Sequence, residues 1–215
     1  MNIPNNFQVI DHSLIHHKLG LIRDKNTGPK EFRELVTEVT ILLAYEATKN
    51  LSLKDAEVET PITTAQVKTF AVADIVLVPI LRAGLGMVEG MLKIIPNARV
   101  GYVGMERDHE THKPVDYYFK IPNQAHKRTF IVLDPMLASG GTIIATVDRL
   151  KDLGANSIMC MCIICAPEGM EEFCIRHQDV KVYTGALDDH LNSSKYIVPG
   201  LGDAGDRLLA LIDAM

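Results

Sequence analysis

Apolar positions along the chain follow two rhythms, and their alternation predicts the fold class. From residue 32 to about residue 50, Phe32, Leu35, Val36, Val39, Leu43 and Ala47 recur at three- and four-residue steps, the spacing of one buried helix face. Five short apolar runs read instead as buried strands: residues 75–81, 99–105, 129–134, 157–166 and 180–184. Helical patterns at 85–94, 143–153 and 169–177 lie between them, and Gly154 closes the second. Strands separated by helices of this length imply right-handed crossovers and a mainly parallel sheet covered on both faces. Short strands are also predicted at 57–60 and around Ile62, and a further helix from about Arg207. Segment 105–122 breaks the rhythm. It is polar, with Tyr117, Tyr118 and Phe119 clustered late, and reads as a hairpin whose exposed aromatics mark a subunit contact. With no repeat, linker or low-complexity stretch, residues 1–215 are read as one domain.

Chemistry concentrates where strands give way to helices. After Ile131, Val132 and Leu133 come Asp134, Pro135, Met136, Leu137, Ala138, Ser139, Gly140, Gly141 and Thr142, and then a helix. Small residues let a backbone approach an anion closely, and successive N–H groups backed by a helix dipole then bind it. The loop lacks the lysine of one common phosphate motif and the three spaced glycines of another. An acid followed by this loop suits a ligand with both a sugar diol and a phosphate. The alternative is an ordinary strand–turn–helix connection with a cap. Arg82 follows the buried run 75–81 and precedes Ala83, Gly84, Leu85 and Gly86, which suits a second phosphate group; the alternative is an ion pair with a nearby acid. Arg107 follows the next strand and can reach the same sheet edge. A third loop, residues 196–206, holds Gly200, Gly202, Gly205, Asp203 and Asp206 before a helix. Its exposed backbone groups can read a planar base, or it is a capping loop.

Composition narrows the field. Net charge is −5 and the pI about 5.9. That argues against bulk nucleic-acid binding, though not against a small anionic ligand. No secretory leader is read in residues 1–10, and every apolar run is shorter than the ~20 residues that span a bilayer. A cytoplasmic protein without a membrane role is expected. Cys160, Cys162 and Cys165 sit in one strand-like run, where i and i+3 side chains point to opposite faces, so reduced packing thiols are expected there and at Cys174. His12, His16 and His17 can share a helix face, but no carboxylate or cysteine completes a metal set nearby, and no residue is predicted as a metal ligand. His109, His112 and His126 fall in polar stretches and are expected at the surface.

Together the three loops resemble those of the uracil phosphoribosyltransferase family. The likeness runs from residues 17–20 through 45–48 and 79–87 to the end of the chain. Residues 134–142 are similar to that family's phosphoribosyl-diphosphate loop. Pro135 stands where many related transferases have a second acid, and Ser139 and Thr142 each keep a hydroxyl where the family often has the other. The resemblance implies the type I phosphoribosyltransferase fold: a mainly parallel five-stranded sheet flanked by helices, with a C-terminal hood and a protruding hairpin. It implies conversion of uracil and phosphoribosyl diphosphate to UMP and diphosphate with Mg²⁺, in pyrimidine salvage, by a homodimer or larger homo-oligomer, with GTP as an effector to be tested. Carried over by position, Arg82, Arg107, Asp134 and Asp203 are the expected catalytic residues. They join residues 135–142 in binding phosphoribosyl diphosphate, while Ile197, Gly202, Asp203 and Ala204 read uracil. Two rivals stand beside this reading: an RNA-binding regulator on the same fold, which needs a basic face, and a transferase for another base.

Overall fold

The computed structural model describes residues 3–71, 74–107 and 114–211, and the side chains of all of these except 106, 107 and 114–116. In chain order the elements begin with β1 (Phe7–Val9), α1 (Ser13–Arg23), α2 (Pro29–Thr48), β2 (Leu53–Glu59) and β3 (Thr64–Phe70). Then come β4 (Ile75–Leu81), α3 (Leu85–Ile94), β5 (Arg99–Val100), β6 (Tyr102–Arg107), β7 (Pro114–Lys120), β8 (Thr129–Leu133) and β9 (Met136–Leu137). The chain continues with α4 (Gly141–Asp152), β10 (Ser157–Cys165), α5 (Pro167–Arg176), β11 (Lys181–Leu187), β12 (His190–Leu191), β13 (Ile197–Val198) and α6 (Ala204–Leu209).

The predicted strands form the centre of one sheet ordered β1-β11-β10-β8-β4-β6-β7. Neighbours are parallel except β6 and β7. The sheet is therefore wider than five strands, with the three-residue β1 added at one edge and the seven-residue β7 at the other. Alternation along the buried strands sorts the core into two layers. Leu77, Ile131, Leu133 and Met161 face α1, α2 and α3, whose apolar stripe includes all six residues of the predicted helix face. Val76, Val78, Phe130 and Val132 face α4 and α5.

Three expectations are corrected. Ile62 is not in a strand; it is 94% exposed at the tip of the hairpin joining β2 to β3. The Thr60 hydroxyl donates to the Thr63 carbonyl at 2.7 Å and accepts from the Thr63 N–H at 3.0 Å, a side-chain turn that ends the pairing. Predicted helix starts at 143, 169 and 207 fall instead at Gly141, Pro167 and Ala204. At the second of these, proline fits the first turn because its missing N–H would have no partner there. The third correction concerns the cysteines. Ile163 and Ile164 both donate to the Pro135 carbonyl, at 2.9 and 3.1 Å, and both pack on the α1–α3 side. The strict alternation breaks here while the register with β9 and β11 is kept, so Cys162 and Cys165 share the opposite face. All four cysteines are free and buried.

The predicted hairpin in 105–122 corresponds to β6 and β7 with a bulge at Gly104/Met105; residues 108–113, including His109 and His112, lie outside the described residues. Tyr117 and Tyr118 are exposed, whereas Phe119 packs beneath the Arg149 guanidinium, 5.4 Å from its ring centroid. No helix among the described residues is long and apolar enough to cross a membrane.

Candidate active site at the sheet's switch point

From β4 the chain passes through α3 to β6 on one side. It then returns to β8 on the other side of β4 and steps outward through α4 to β10. The direction of crossover reverses between β4 and β8, and open α/β sheets bind ligands beyond the carboxyl ends of strands at such a point. Residues 82–84 leave β4 there and residues 134–140 leave β8 beside them.

Contact between the two loops is intimate. A Cβ on Gly84 would collide with the carbonyl oxygens of Leu133 and Ile80, so only glycine lets the Arg82 turn lie on the end of β8. The C-terminal loop closes the third side. The Arg82 guanidinium lies 3.9 Å from the Asp206 carboxylate, and the Ala83 methyl neighbours Gly205. Arg82 is 60% exposed, so the ion pair predicted as its alternative role is long and wet, and its head remains available to an anion. Arg107 ends β6, next to β4, and its side chain lies outside the described residues.

Asp134 sits at the root of the site. Burial raises its carboxyl to about 7, against the pull of the Met136 N–H 3.4 Å away, and the nearby Asp203 charge pushes the same way as burial. Beyond it, β9 pairs with β10, and the Ala166 N–H donates to the Leu137 carbonyl at 2.9 Å. Gly140 caps α4 with φ +86°, a conformation that a side chain resists, and no side chain caps the helix. The first-turn N–H groups of this 12-residue helix therefore point out with the positive end of its dipole. Ser139, Gly141 and Thr142 are half-buried around them. The arrangement can hold a phosphate at α4 and a diol at Asp134.

In the third loop, Asp203 caps α6 by accepting from the Asp206 N–H at 2.9 Å. The side chains of Ile197 and Ala204 are buried, so whatever they offer a ligand comes from their backbone; Gly202 is exposed. A cleft of about 510 Å³ runs along this loop, between residues 199–207 and the turn 23–29. It includes Gly202, Asp203 and Asp206 and lies apart from Asp134 and residues 137–142. A more open depression of about 730 Å³ flanks the phosphate loop at Ser139 and Gly141.

The contacts of two arginines at this loop were not readable in the sequence. Arg207 donates to the carbonyls of Ile22, Leu201 and Asp24 and lies 4.2 Å over the Phe32 ring. Arg23 pairs with Asp188 at 2.6 Å. Each partner is more than 160 residues away except Leu201, so only the fold brings them together.

The family described as uracil phosphoribosyltransferase matches residues 9–210. The uracil phosphoribosyltransferase of Desulfitobacterium hafniense is 57% identical over 200 residues, 93% of this chain and 96% of that protein. That of Geobacillus kaustophilus is 56% identical over 200 residues, again 93% of this chain and 96% of the relative. Among solved structures, the AQ2163 protein of Aquifex aeolicus superposes with a TM-score of 0.90 at 37% identity, covering 95% of this chain and 98% of that one. A hypoxanthine phosphoribosyltransferase of Staphylococcus aureus, 14% identical with a TM-score of 0.51 over 74% of this chain and 76% of its own, shares the fold.

Proposed function

The chain belongs to the uracil phosphoribosyltransferase family and makes UMP and diphosphate from uracil and phosphoribosyl diphosphate, and on that premise we propose how its residues divide the work. The bond from the anomeric carbon to diphosphate breaks, a bond to uracil N1 forms, and the N1 proton leaves. Positive charge builds on the ribose ring, as in other displacements at sugars. Arg82 and Arg107 stabilise the departing diphosphate, an electrostatic task worth orders of magnitude in rate. Asp134, as the carboxylate, accepts hydrogen bonds from the ribose hydroxyls, and those donors pull its titration down from about 7. Residues 135–142 and the start of α4 hold the 5′-phosphate. The backbone of Ile197, Gly202 and Ala204 reads uracil, and Asp203 stands between base and phosphoribosyl group.

Mg²⁺ fits this donor set as an ion that arrives with the diphosphate. Asp134 and Asp203 are close enough to feel each other's charge, and hard cations of this kind use one or two carboxylates plus phosphate oxygens and water. When bound it neutralises charge on the leaving group. The described residues hold no cluster of three or more metal-binding side chains that would cage an ion on their own.

The juxtaposition of Arg82, Asp134 and Asp203 at the switch point carries this reading. Four buried free thiols suit a cytoplasmic enzyme. A homodimer or larger homo-oligomer is part of the proposal, supported by the exposed β2–β3 ribbon, and so is a response to GTP. The test is product formation from labelled uracil, phosphoribosyl diphosphate and Mg²⁺, beside cytosine, hypoxanthine and orotate, with and without GTP. UMP from uracil alone is expected. Comparable turnover of cytosine contradicts base reading through paired backbone groups, because a site built on buried hydrogen bonds rejects such analogues by factors on the order of 10⁴.

A further inference from the structure

Behind the base-reading loop lies an ion pair whose hydrogen bonds converge on one residue. Arg23, at the end of α1, meets Asp188, just beyond β11, at two points: Nη1 to Oδ2 at 2.8 Å and Nη2 to Oδ1 at 2.6 Å. Both partners then hold Gly200. Arg23 Nη1 donates to the Gly200 carbonyl at 2.7 Å, and the Gly200 N–H donates to Asp188 Oδ2 at 2.9 Å. Gly200 stands at φ +64°, and a Cβ there would strike the Ile197 carbonyl. The pair is anchored in turn on the sheet, since the Asp188 N–H donates to the Cys165 carbonyl at 2.8 Å. Cys165 ends the strand whose Ile163 and Ile164 N–H groups hold the Pro135 carbonyl beside the phosphate loop. One strand thus references both halves of the site.

The Asp188 side chain is 3% exposed and that of Arg23 24%. A pair this buried is an inefficient way to stabilise a fold, because desolvation offsets much of the attraction and well-packed apolar replacements are often neutral or better. Charge-assisted, two-point bonds do supply fixed geometry. We propose that the Arg23–Asp188 pair is a positioning device for base recognition: through Gly200 it sets where the backbone groups of residues 197–204 stand relative to the phosphoribosyl site, and so governs affinity for uracil and its discrimination from cytosine. This rests on reading residues 197–204 as the uracil loop.

The test uses the full-length enzyme with Arg23→Lys and with the double variant Arg23→Met/Asp188→Leu, which leaves no buried charge unpaired. The double variant is expected to stay folded and to melt somewhat below wild type, because the Gly200 N–H and carbonyl lose their partners. Its KM for uracil should rise about tenfold or more, as expected for lost hydrogen bonds to charged groups. Its preference for uracil over cytosine should fall, while KM for phosphoribosyl diphosphate stays within about twofold because that site is separately held. Arg23→Lys, keeping the charge but not the fork, should lie between. A uracil KM within twofold of wild type in the folded double variant overturns the inference, as does a rise in KM for phosphoribosyl diphosphate as large as that for uracil. Hydrogen exchange of the wild type with and without UMP separates the two layers of the argument. Unprotected amides at 202–204 overturn the uracil-loop reading and the inference with it. Protected amides beside an unchanged uracil KM overturn the inference alone.

Discussion

A carboxyl group titrating near 7 is about half protonated at neutral pH, and at Asp134 this has opposite consequences for stability and for binding. Its ordinary value is 3.8, so between pH 4 and 7 the folded state holds more protons than the unfolded one. Stability therefore falls as pH rises through that window, and the full penalty is present above 7. Asp134→Asn should raise Tm at pH 8, with the gain vanishing near pH 4. Binding runs the other way, because only the carboxylate accepts both ribose hydroxyls. The wild-type kcat/KM for phosphoribosyl diphosphate should climb with a midpoint near 7, and that limb should disappear in the variant, leaving only substrate phosphate titration near 6. Thermal melts and pH–rate profiles of the two proteins check both halves. Arg82 tests the opposite case, a site residue with little structural duty. Because its side chain is 60% exposed, Arg82→Ala should change stability by no more than about 0.5 kcal/mol. Losing its charge at the leaving group should lower kcat by about 10²–10³. Steady-state kinetics beside a melt decide it; unchanged turnover removes Arg82 from the site. Both residues were legible in sequence because a lone charge at the end of an apolar strand is costly without a purpose. Arg23, Arg207 and Asp188 were not, since charged residues outside such runs look like any surface position until their partners are known.

Between α4 and α5 lies a polar seam around one buried histidine, whose chemistry the helical pattern does not reveal. His177, at the end of α5, is 2% exposed. Lys151 Nζ lies 3.2 Å from its Nδ1, and Asp148 Oδ1 is 3.5 Å from its Nε2, too long for a good hydrogen bond. Burial lowers its pKa below 6.5; Lys151 pushes the same way, and Asp148 and Asp179 partly oppose it. The unfolded chain therefore binds the proton first. The stability this neutral ring contributes is full above 6.5 and is lost as pH falls through the lowered folded value. His177→Gln should lose less Tm than wild type between pH 7 and pH 5; equal or steeper acid sensitivity contradicts this account. At the same scale, β4 and α3 have the bounds their apolar pattern predicts. Of the β2–β3 ribbon only the end of β2, residues 57–59, was legible, because its pattern is amphipathic rather than continuous. Ala56, Val58, Ala65 and Val67 line one face, while Asp55 and Lys68 pair at 2.6 Å across the other.

At the scale of the molecule that ribbon is conspicuous, since it forms a two-stranded sheet of its own and does not join the main one. Isolated ribbons are marginally stable in water. Val58, Ile62 and Phe70 are exposed along it and Tyr45 is exposed on α2. Cover by a second copy of the chain is the proposal that follows. Light scattering should give at least twice the 23.8 kDa chain mass, and Val58→Glu with Ile62→Glu should shift the species toward monomer and make Tm depend on protein concentration. A monomeric wild type rejects it.

Taken by itself, the sequence determined the alternation of strand and helix, the parallel sheet and the acid–glycine loop after β8, because each follows from local periodicity or from a residue type with a single steric use. It also carried the family resemblance. The tertiary structure alone decided that the Arg82, Asp134 and Asp203 loops meet, that a break in the β10 alternation turns Cys165 to the same face as Cys162, and that Arg23 and Asp188 hold Gly200. Those arrangements depend on crossover direction, on that local break in alternation, and on contacts between residues as many as 177 positions apart. Local pattern does not encode them, since the energy that fixes them belongs to pairs that exist only once the sheet has formed.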